Sequence, residues 1–349
     1  MELKIASDND QQIWDSVVER SSNSSLFHTW KWLRLVEKYT NFDNEQKRSS
    51  CTFYPVLLME KGCPVGLFPL FIVKKFGFNF CYSPPTNMEM LYLGPLFPDI
   101  HAMKQEKKQI FLIDVQKTVD RFIKKNLRSK YIQINTPPGF DDCRPYKWGG
   151  YAAVPRYTYH IDLGEDCGMH WKNFNRSLRY YIEKARKEGI TVSDGDKEDE
   201  FHIYTLLKNN DRIKAPKEFI DELYDLFYPD HLKVFIAKIG PERLSGILTL
   251  MHKDKVQFWV GSPRCSYKGL SPNELVLWES IRWAGEHGYK IFEIMGADDY
   301  SLFPFKRKFN GKLIPYYQMK WFSPVFYLLS SAYNTVMRTD KNILDLSDE

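Results

Sequence analysis

Lys268-Gly-Leu-Ser-Pro-Asn-Glu-Leu-Val-Leu-Trp-Glu-Ser-Ile-Arg-Trp-Ala-Gly-Glu-His-Gly288, then Tyr289-Lys-Ile-Phe-Glu-Ile-Met-Gly296, then Phe303-Pro-Phe-Lys-Arg-Lys-Phe-Asn-Gly311, carries the densest local signals in the chain. It reads as a capped helix, a buried strand and a basic aromatic loop. Ser271 is a good N-cap residue. Pro272 suits the first helical position, where its missing N–H costs nothing. Glu274, three residues after Ser271, completes a capping-box pattern. Leu275, Trp278, Ile281 and Ala284 recur at helical spacing, and Gly288 supplies the stop. Free N–H groups and the helix dipole favour an anion near Gly269 to Asn273, where Lys268 adds a charge. An ordinary capped helix is the plainer explanation of the same residues.

The flanking sequence bounds the class. The chain has 349 residues, room for two ordinary domains, and its 43% hydrophobic content supports real cores. A net charge of +5 is too small to imply nucleic acid by itself, and DNA is not expected as a partner. Six scattered cysteines show no metal-type pairing and read as reduced cytosolic thiols. The histidines are isolated too, so no metal is expected. The first residues lack an apolar export core. The uncharged run Trp321 to Met337 is too short and too polar to span a bilayer. It could pack on the body of the protein or lie at a membrane surface.

Two halves show a similar order of elements. In the first, helices from about Asp10 and over Thr29 to Lys38 precede strands at Cys51 to Met59 and Val65 to Val73. A Pro- and Gly-rich loop, a long helix over Met103 to Leu127 and a strand at Lys130 to Asn135 come after them. In the second, a strand at Thr158 to Leu163 leads to a basic helix over His170 to Glu188. Helices at Glu198 to Asn210 and Lys217 to Phe227 come next. Strands at Val234 to Ile239, Ser245 to His252 and Lys255 to Gly261 precede the capped helix, and a last strand covers Lys312 to Trp321. Each half ends with a long helix leading into a hydrophobic strand. This pattern predicts α+β layers, with mixed sheets flanked by helices. The expected division is 1–152, 153–321 and a C-terminal helix and tail at 322–349.

Three groups could carry chemistry. Lys172, Arg176, Arg179 and Arg186 fall roughly on one face of the basic helix and could hold phosphates; a solvated helix face is the alternative. Lys306 stands between Phe305 and Phe309, where an ammonium is partly desolvated and could donate to an oxyanion or a phosphate; the alternative is an anchored surface loop. Glu293 faces away from Phe292 and Ile294 by strand alternation. A carboxylate in such a strand needs a partner or a task. It could be a general base or half of a structural salt bridge with Lys306 or an arginine, and Asp298 and Asp299 are rival bases. The chain has no Gly-x-Ser-x-Gly elbow, Walker A loop or Gly-x-Gly-x-x-Gly fingerprint. That favours direct group transfer between two bound substrates.

Together these residues resemble the FemAB-like branch of the GNAT acyltransferase superfamily, in its form described as a BioF2-like acetyltransferase domain. The resemblance rests on Arg176-Ser-Leu-Arg179 to Gly189, Gly269 with Pro272-Asn273-Glu274-Leu275 and Trp278, Ile291-Phe292-Glu293 with Gly296, and Phe305 to Gly311. In the first half, Leu26-Phe27-His28-Thr29 with Trp32 is similar to the family's N-terminal helix start. Glu293 stands where the family has Asp, and Asn310 replaces the first Gly of a closing pair.

The resemblance implies two tandem GNAT-like domains around a cleft and transfer of an acyl or aminoacyl group to an amine. It implies acyl-CoA or aminoacyl-tRNA as donor, and a small-molecule or lipid-linked acceptor of cell-surface polymer synthesis. Lys306 would stabilise the oxyanion, with Glu293 beside it. Arg176, Arg179, Lys268, Gly269, Asn273 and Trp32 would line the substrate and phosphate side. The protein would work in the cytoplasm or peripherally at the membrane. A non-catalytic binding module is the alternative from another class.

Overall fold

The computed structural model describes residues 1–40, 50–98, 100–164, 167–324 and 326. The apolar stripe of the first long helical pattern sets the first half. α1 (Gln11–Arg20) buries Trp14, Val17 and Val18, and α2 (Trp30–Thr40) buries Trp32, Leu33 and Val36. β1 (Glu2–Ile5), β2 (Ser50–Glu60), β3 (Cys63–Lys75) and β4 (Phe78–Ser83) form an antiparallel series. α3 (Gln105–Arg121), continued by a π-turn at Phe122–Asn126, crosses over to β5 (Ser129–Asn135), which runs parallel to β4.

The second half repeats this plan. After α4 (Arg144–Trp148), whose Tyr146 packs in the first-half core, β6 (Ala152–Asp162) leads to α5 (Cys167–Asn173) and α6 (Arg176–Lys187). The single basic helix expected from His170 to Glu188 is therefore two helices. The Asn175 side chain accepts the Ser177 N–H and starts the second, so the break is an N-cap. After β7 (Thr191–Asp194), α7 (Lys197–Asn209) and α8 (Lys217–Phe227), an antiparallel series runs through β8 (Leu232–Ile239), β9 (Glu242–His252) and β10 (Lys255–Gly261). α9 (Pro272–Glu286) then crosses to β11 (Ile291–Ile294), parallel to β10. The chain continues through α10 (Phe303–Lys306) to β12 (Lys312–Phe322).

Among the described residues twelve strands make one sheet, in the order β1-β2-β3-β4-β5-β12-β6-β11-β10-β9-β8-β7. β12 lies between β5 of the first half and β6 of the second, antiparallel to both. The two mixed sheets expected from the sequence are thus fused through the last strand. Alternation along β12 places Tyr316 in one core and Met319 in another.

The halves also share apolar packing. Trp32 has no exposed surface, and its ring meets Phe219 at 6.2 Å, Phe227 at 5.6 Å and Trp259 at 5.7 Å. These partners all come from the second half. A separate core beneath α6 and α9 contains Leu178, Ile182, Leu275, Trp278, Phe292 and Ile294. Most of the expected C-terminal helix and tail at 322–349 lies outside the described residues. No helix among the described residues is long and apolar enough to cross a membrane.

Because Trp32 fills the junction of α2 with α8 and β10, Trp32→Ala leaves a large hole there. It is expected to lower the unfolding free energy by about 3–5 kcal/mol. Urea denaturation followed by circular dichroism measures this, and a loss under about 1 kcal/mol would contradict the packing role.

Candidate functional site at the end of the parallel pair

β10 and β11 pair in parallel from Lys255–Ile291 to Phe258–Ile294. Beyond that register β10 carries a bulge against β9 between Phe258 and Val260, and the strand pair ends. A bulge bends its strand and re-aims the residues after it. The backbone carbonyls of Met295 and Gly296 lie past the last paired residue of β11, at this open end. Lys306 fills the position. Its Nζ donates to the Gly296 carbonyl at 2.9 Å and also to the Met295 carbonyl. The residue is only 6% exposed. Burial pushes its pKa down to about 8, while the Asp299 carboxylate opposes the shift. An ammonium has three donors and no acceptor. Two are used on these carbonyls, and one remains.

Gly296 is required at this point. Its φ is +74°, and a Cβ there would lie 3.0 Å from Lys306 Nζ and 3.9 Å from Leu91 Cδ1. Leu91 belongs to the first half, so the ammonium sits at the junction of the halves. Asn310 closes the basic loop with φ +53°, a left-handed conformation that Asn accepts in place of Gly.

Glu293 faces the opposite way from Phe292 and Ile294, as alternation predicts. It has no exposed surface. Tyr92 Oη donates to its Oε2 at 2.7 Å, Gln257 Nε2 to the same oxygen at 3.1 Å, and Thr158 Oγ1 to Oε1 at 2.8 Å. Lys255 Nζ lies 3.9 Å away. The expected salt bridge with Lys306 does not form; the partners are these hydroxyl, amide and Lys255 groups. With that many donors and no surface, the carboxylate is closed to an incoming amine in this structure. Burial and the neighbouring carboxylate hold the Tyr92 phenol far above its ordinary pKa, so it remains a donor.

The acids after β11 are exposed. Asp298 accepts the Tyr157 backbone N–H at 2.8 Å. Asp299 accepts from the Ser301 backbone and hydroxyl. Burial alone would raise the Asp299 pKa, but those bonds and the Lys306 charge keep it below the ordinary value.

The start of α9 is built differently from the expected capping box. Ser271 makes no side-chain cap bond. Asn273, 7% exposed, instead accepts the Cys265 N–H at 3.0 Å and donates to the Ser262 carbonyl at 3.2 Å. It staples the loop before the helix. Lys268 and Gly269 have φ of +50° and +74° and form the tight turn closed by Tyr267 and Leu270. Glu274 is fully buried in the first turn, where the helix dipole favours it. Lys308 Nζ reaches it at 3.1 Å and Arg264 at 3.7 Å. One carboxylate against two cations leaves the helix start with a surplus positive charge. The Lys308 carbonyl accepts the Asn175 N–H, which ties the start of α6, and with it Arg176, to the start of α9.

The structure therefore brings Arg176, Lys308, Arg264 and the α9 start into one neighbourhood. Arg176 is exposed and Arg179 half-buried, its Nε lacking a partner among the described residues. Arg186, on the same stripe, is instead paired to Glu279 of α9 at 3.1 Å. Trp32 offers a ligand no surface at all. A cleft of about 530 Å³ opens next to the neighbourhood of Arg176, where Asn173 and Asn310 line it together with His160, Asp162, His170 and Lys290. His160 Nε2 and His170 Nε2 have no hydrogen-bond partner among the described residues, and burial lowers the His160 pKa. Both histidines are isolated in the sequence, and only the pairing of His160 opposite Glu293 reveals the first. Among the described residues no group of three or more His, Cys, Asp or Glu is arranged to hold a metal.

Residues 172–307 match the family model of the acetyltransferase (GNAT) domain. The matched segment runs from α5 through α10, within the second half. The whole fold is similar to the crystal structure of FemX, with 17% identity, a TM-score of 0.66, and 94% of this chain and 99% of that chain covered. It is also similar to L-PGS from Bacillus licheniformis, at 11% identity and TM-score 0.52, covering 90% and 93%. A tandem GNAT protein from the clavulanic acid biosynthesis pathway aligns at 9% identity and TM-score 0.50, covering 92% and 98%. No curated protein matches the chain. The parallel pairs β4–β5 and β10–β11 are the element that the two halves share.

Replacing Glu293 by Ala strands three buried donors. The expected loss of unfolding free energy is about 3 kcal/mol or more. Glu293→Gln, which keeps an acceptor oxygen, is expected to cost clearly less. Equal losses in paired urea melts would contradict the bonding role.

Proposed function

We propose that this protein is a GNAT-type enzyme that transfers an acyl group directly to an amine of a sugar, peptide or lipid-linked cell-surface precursor. The amine nitrogen attacks the donor carbonyl, a C–N bond forms, and the carbonyl oxygen becomes an oxyanion. The remaining N–H of Lys306 stabilises that charge. Collapse breaks the bond to the leaving group, and the amine proton passes through a carboxylate to the leaving atom. We assign that relay to Asp298, exposed at the end of β11, while Glu293 positions the strand. The observation that carries the reading is a buried ammonium held on two carbonyls, at a strand end facing the other half of the molecule.

Acyl-CoA fits as donor in one respect. Its phosphates would meet the surplus charge of the α9 start, Arg264, Lys268 and Arg176. A second reading, aminoacyl transfer from charged tRNA, is supported by the exposed cations Lys172, Arg176 and Lys187 on α5 and α6. It requires salt-sensitive tRNA binding lost on neutralising those residues; a gel shift at low salt decides between the donors.

Lys306→Ala is expected to lower turnover about 10²–10³-fold with the fold intact by circular dichroism. Near-normal turnover would remove the proposed role. The pH profile gives a second check. The charged ammonium predominates below its pKa of about 8, so activity falls as pH rises through that value. Lys306→Arg keeps its charge at all these pH values. Whatever activity it retains should lack the alkaline fall.

A further inference from the structure

One end of the first half is built unlike the rest of the surface. The β3–β4 hairpin turns through Lys74-Lys75-Phe76-Gly77-Phe78, with φ of +52° at Phe76 and +78° at Gly77. Phe76 is 80% exposed. A large aromatic at a hairpin tip gains nothing from folding there, and a positive φ is a conformation such a residue rarely adopts. The neighbouring connection from α3 carries Lys125 and Arg128, and Lys130 follows at the start of β5. The Asn79 side chain donates to the Leu127 carbonyl at 2.7 Å and fixes the two turns side by side.

The two turns carry charge of one sign. Neither Lys61 to Met88 nor Arg121 to Gly139 contains an acidic residue. Lys74, Lys75, Lys125, Arg128 and Lys130 have no carboxylate partner among the described residues. Elsewhere on the molecule surface cations are widely paired, as Lys38 with Glu222, Lys217 with Asp221 and Arg282 with Glu286. Behind the tip, Phe78 and Phe80 meet Phe326 at 6.1 and 5.4 Å, and Phe322 meets Tyr131 at 4.8 Å. The uncharged sequence from Trp321 to Met337 thus begins at this same end.

We propose that this cationic hairpin end docks on an anionic lipid surface, with Phe76 entering the headgroup region and the five cations facing lipid phosphates. The combination of an exposed aromatic with unopposed cations matches interfacial binding. A nucleic-acid surface would use the cations but would not require an apolar tip. Strand directions add a consequence. β11 runs antiparallel to β6, which runs antiparallel to β12, so the C-terminal end of β11 points toward the end of the sheet where Phe322 pairs with Tyr131. Ala297 bonds the Tyr157 carbonyl, and Tyr157 pairs with Pro315. From Pro315 to Phe322 is seven residues of rise, about 23 Å. A docked molecule would hold the Lys306 end facing the bilayer at roughly that height. The docking surface itself does not depend on the acyl-transfer reading.

Co-sedimentation of the full chain with phosphatidylcholine vesicles, with and without phosphatidylglycerol, tests this. Binding is expected only to the anionic vesicles and should weaken with salt. Each cation removed should cost about fivefold in partition coefficient, so Lys74→Ala with Lys75→Ala should cost about 30-fold. Phe76→Ser, at constant charge, should also weaken binding. All three side chains are exposed, and circular dichroism confirms that the variants fold. Lack of anionic-vesicle binding would overturn the proposal. So would binding unchanged in both variants, which would put the contact elsewhere. Loss of tRNA binding in the lysine variant without any vesicle binding would assign the surface to RNA instead.

Discussion

A carboxylate with no exposed surface joins the two halves of this protein. Glu293 reaches from β11 of the second half to Tyr92 of the first, and gathers Thr158 and Gln257 on the way. Each of these groups is itself buried, so none has water as an alternative partner. In such a setting an unmade hydrogen bond is far more costly than a made one is favourable. The network therefore acts as a geometric lock on β11. Its C-terminal end carries the Met295 and Gly296 carbonyls that receive the Lys306 ammonium. The position of the candidate site depends on a polar contact one turn of the pleat away.

The site divides its charge between two levels. Lys306 lies beneath the surface, where desolvation weakens its hold on its proton. Lys308, Arg264 and Arg176 lie around the two helix starts, where Glu274 is already enclosed. The first is suited to a charge that develops during reaction, and the second to one that arrives with a ligand. Both are positioned by one short segment, since Lys306 and Lys308 are two residues apart. Phe309 anchors that segment in the core of the second half, and Asn310 turns the chain back into β12.

Much of this was legible in the sequence wherever a local rule governed. Alternation in Ile291 to Met295 gave the facing of Glu293. Gly288 marked the end of α9, and Phe305 with Phe309 marked Lys306 as partly enclosed. The α+β class and the repeated helix-to-strand units came from periodicity. What escaped was set by distant partners. Trp32 looks alike in sequence whether it lines a ligand or fills a core, and only its ring contacts with Phe219, Phe227 and Trp259 decide. Glu274 satisfied a capping-box spacing, yet Lys308 and Arg264 from elsewhere in the chain claimed it. The Asn175 break was a readable N-cap, hidden by the continuous run of basic residues around it. β7, four residues long, was too short to show a pattern. Nothing local placed β12 between β5 and β6.

That placement bears on synthesis. A ribosome makes the strands in chain order, and Lys312 to Phe322 follows the other eleven described strands. Until it emerges, β5 and β6 present bare edges to each other across a missing strand. The nascent halves can collapse separately, but they cannot become one sheet. Messages truncated upstream of this strand would therefore yield chains with two unpaired interior edges and an unassembled junction, and such chains are natural clients for quality control.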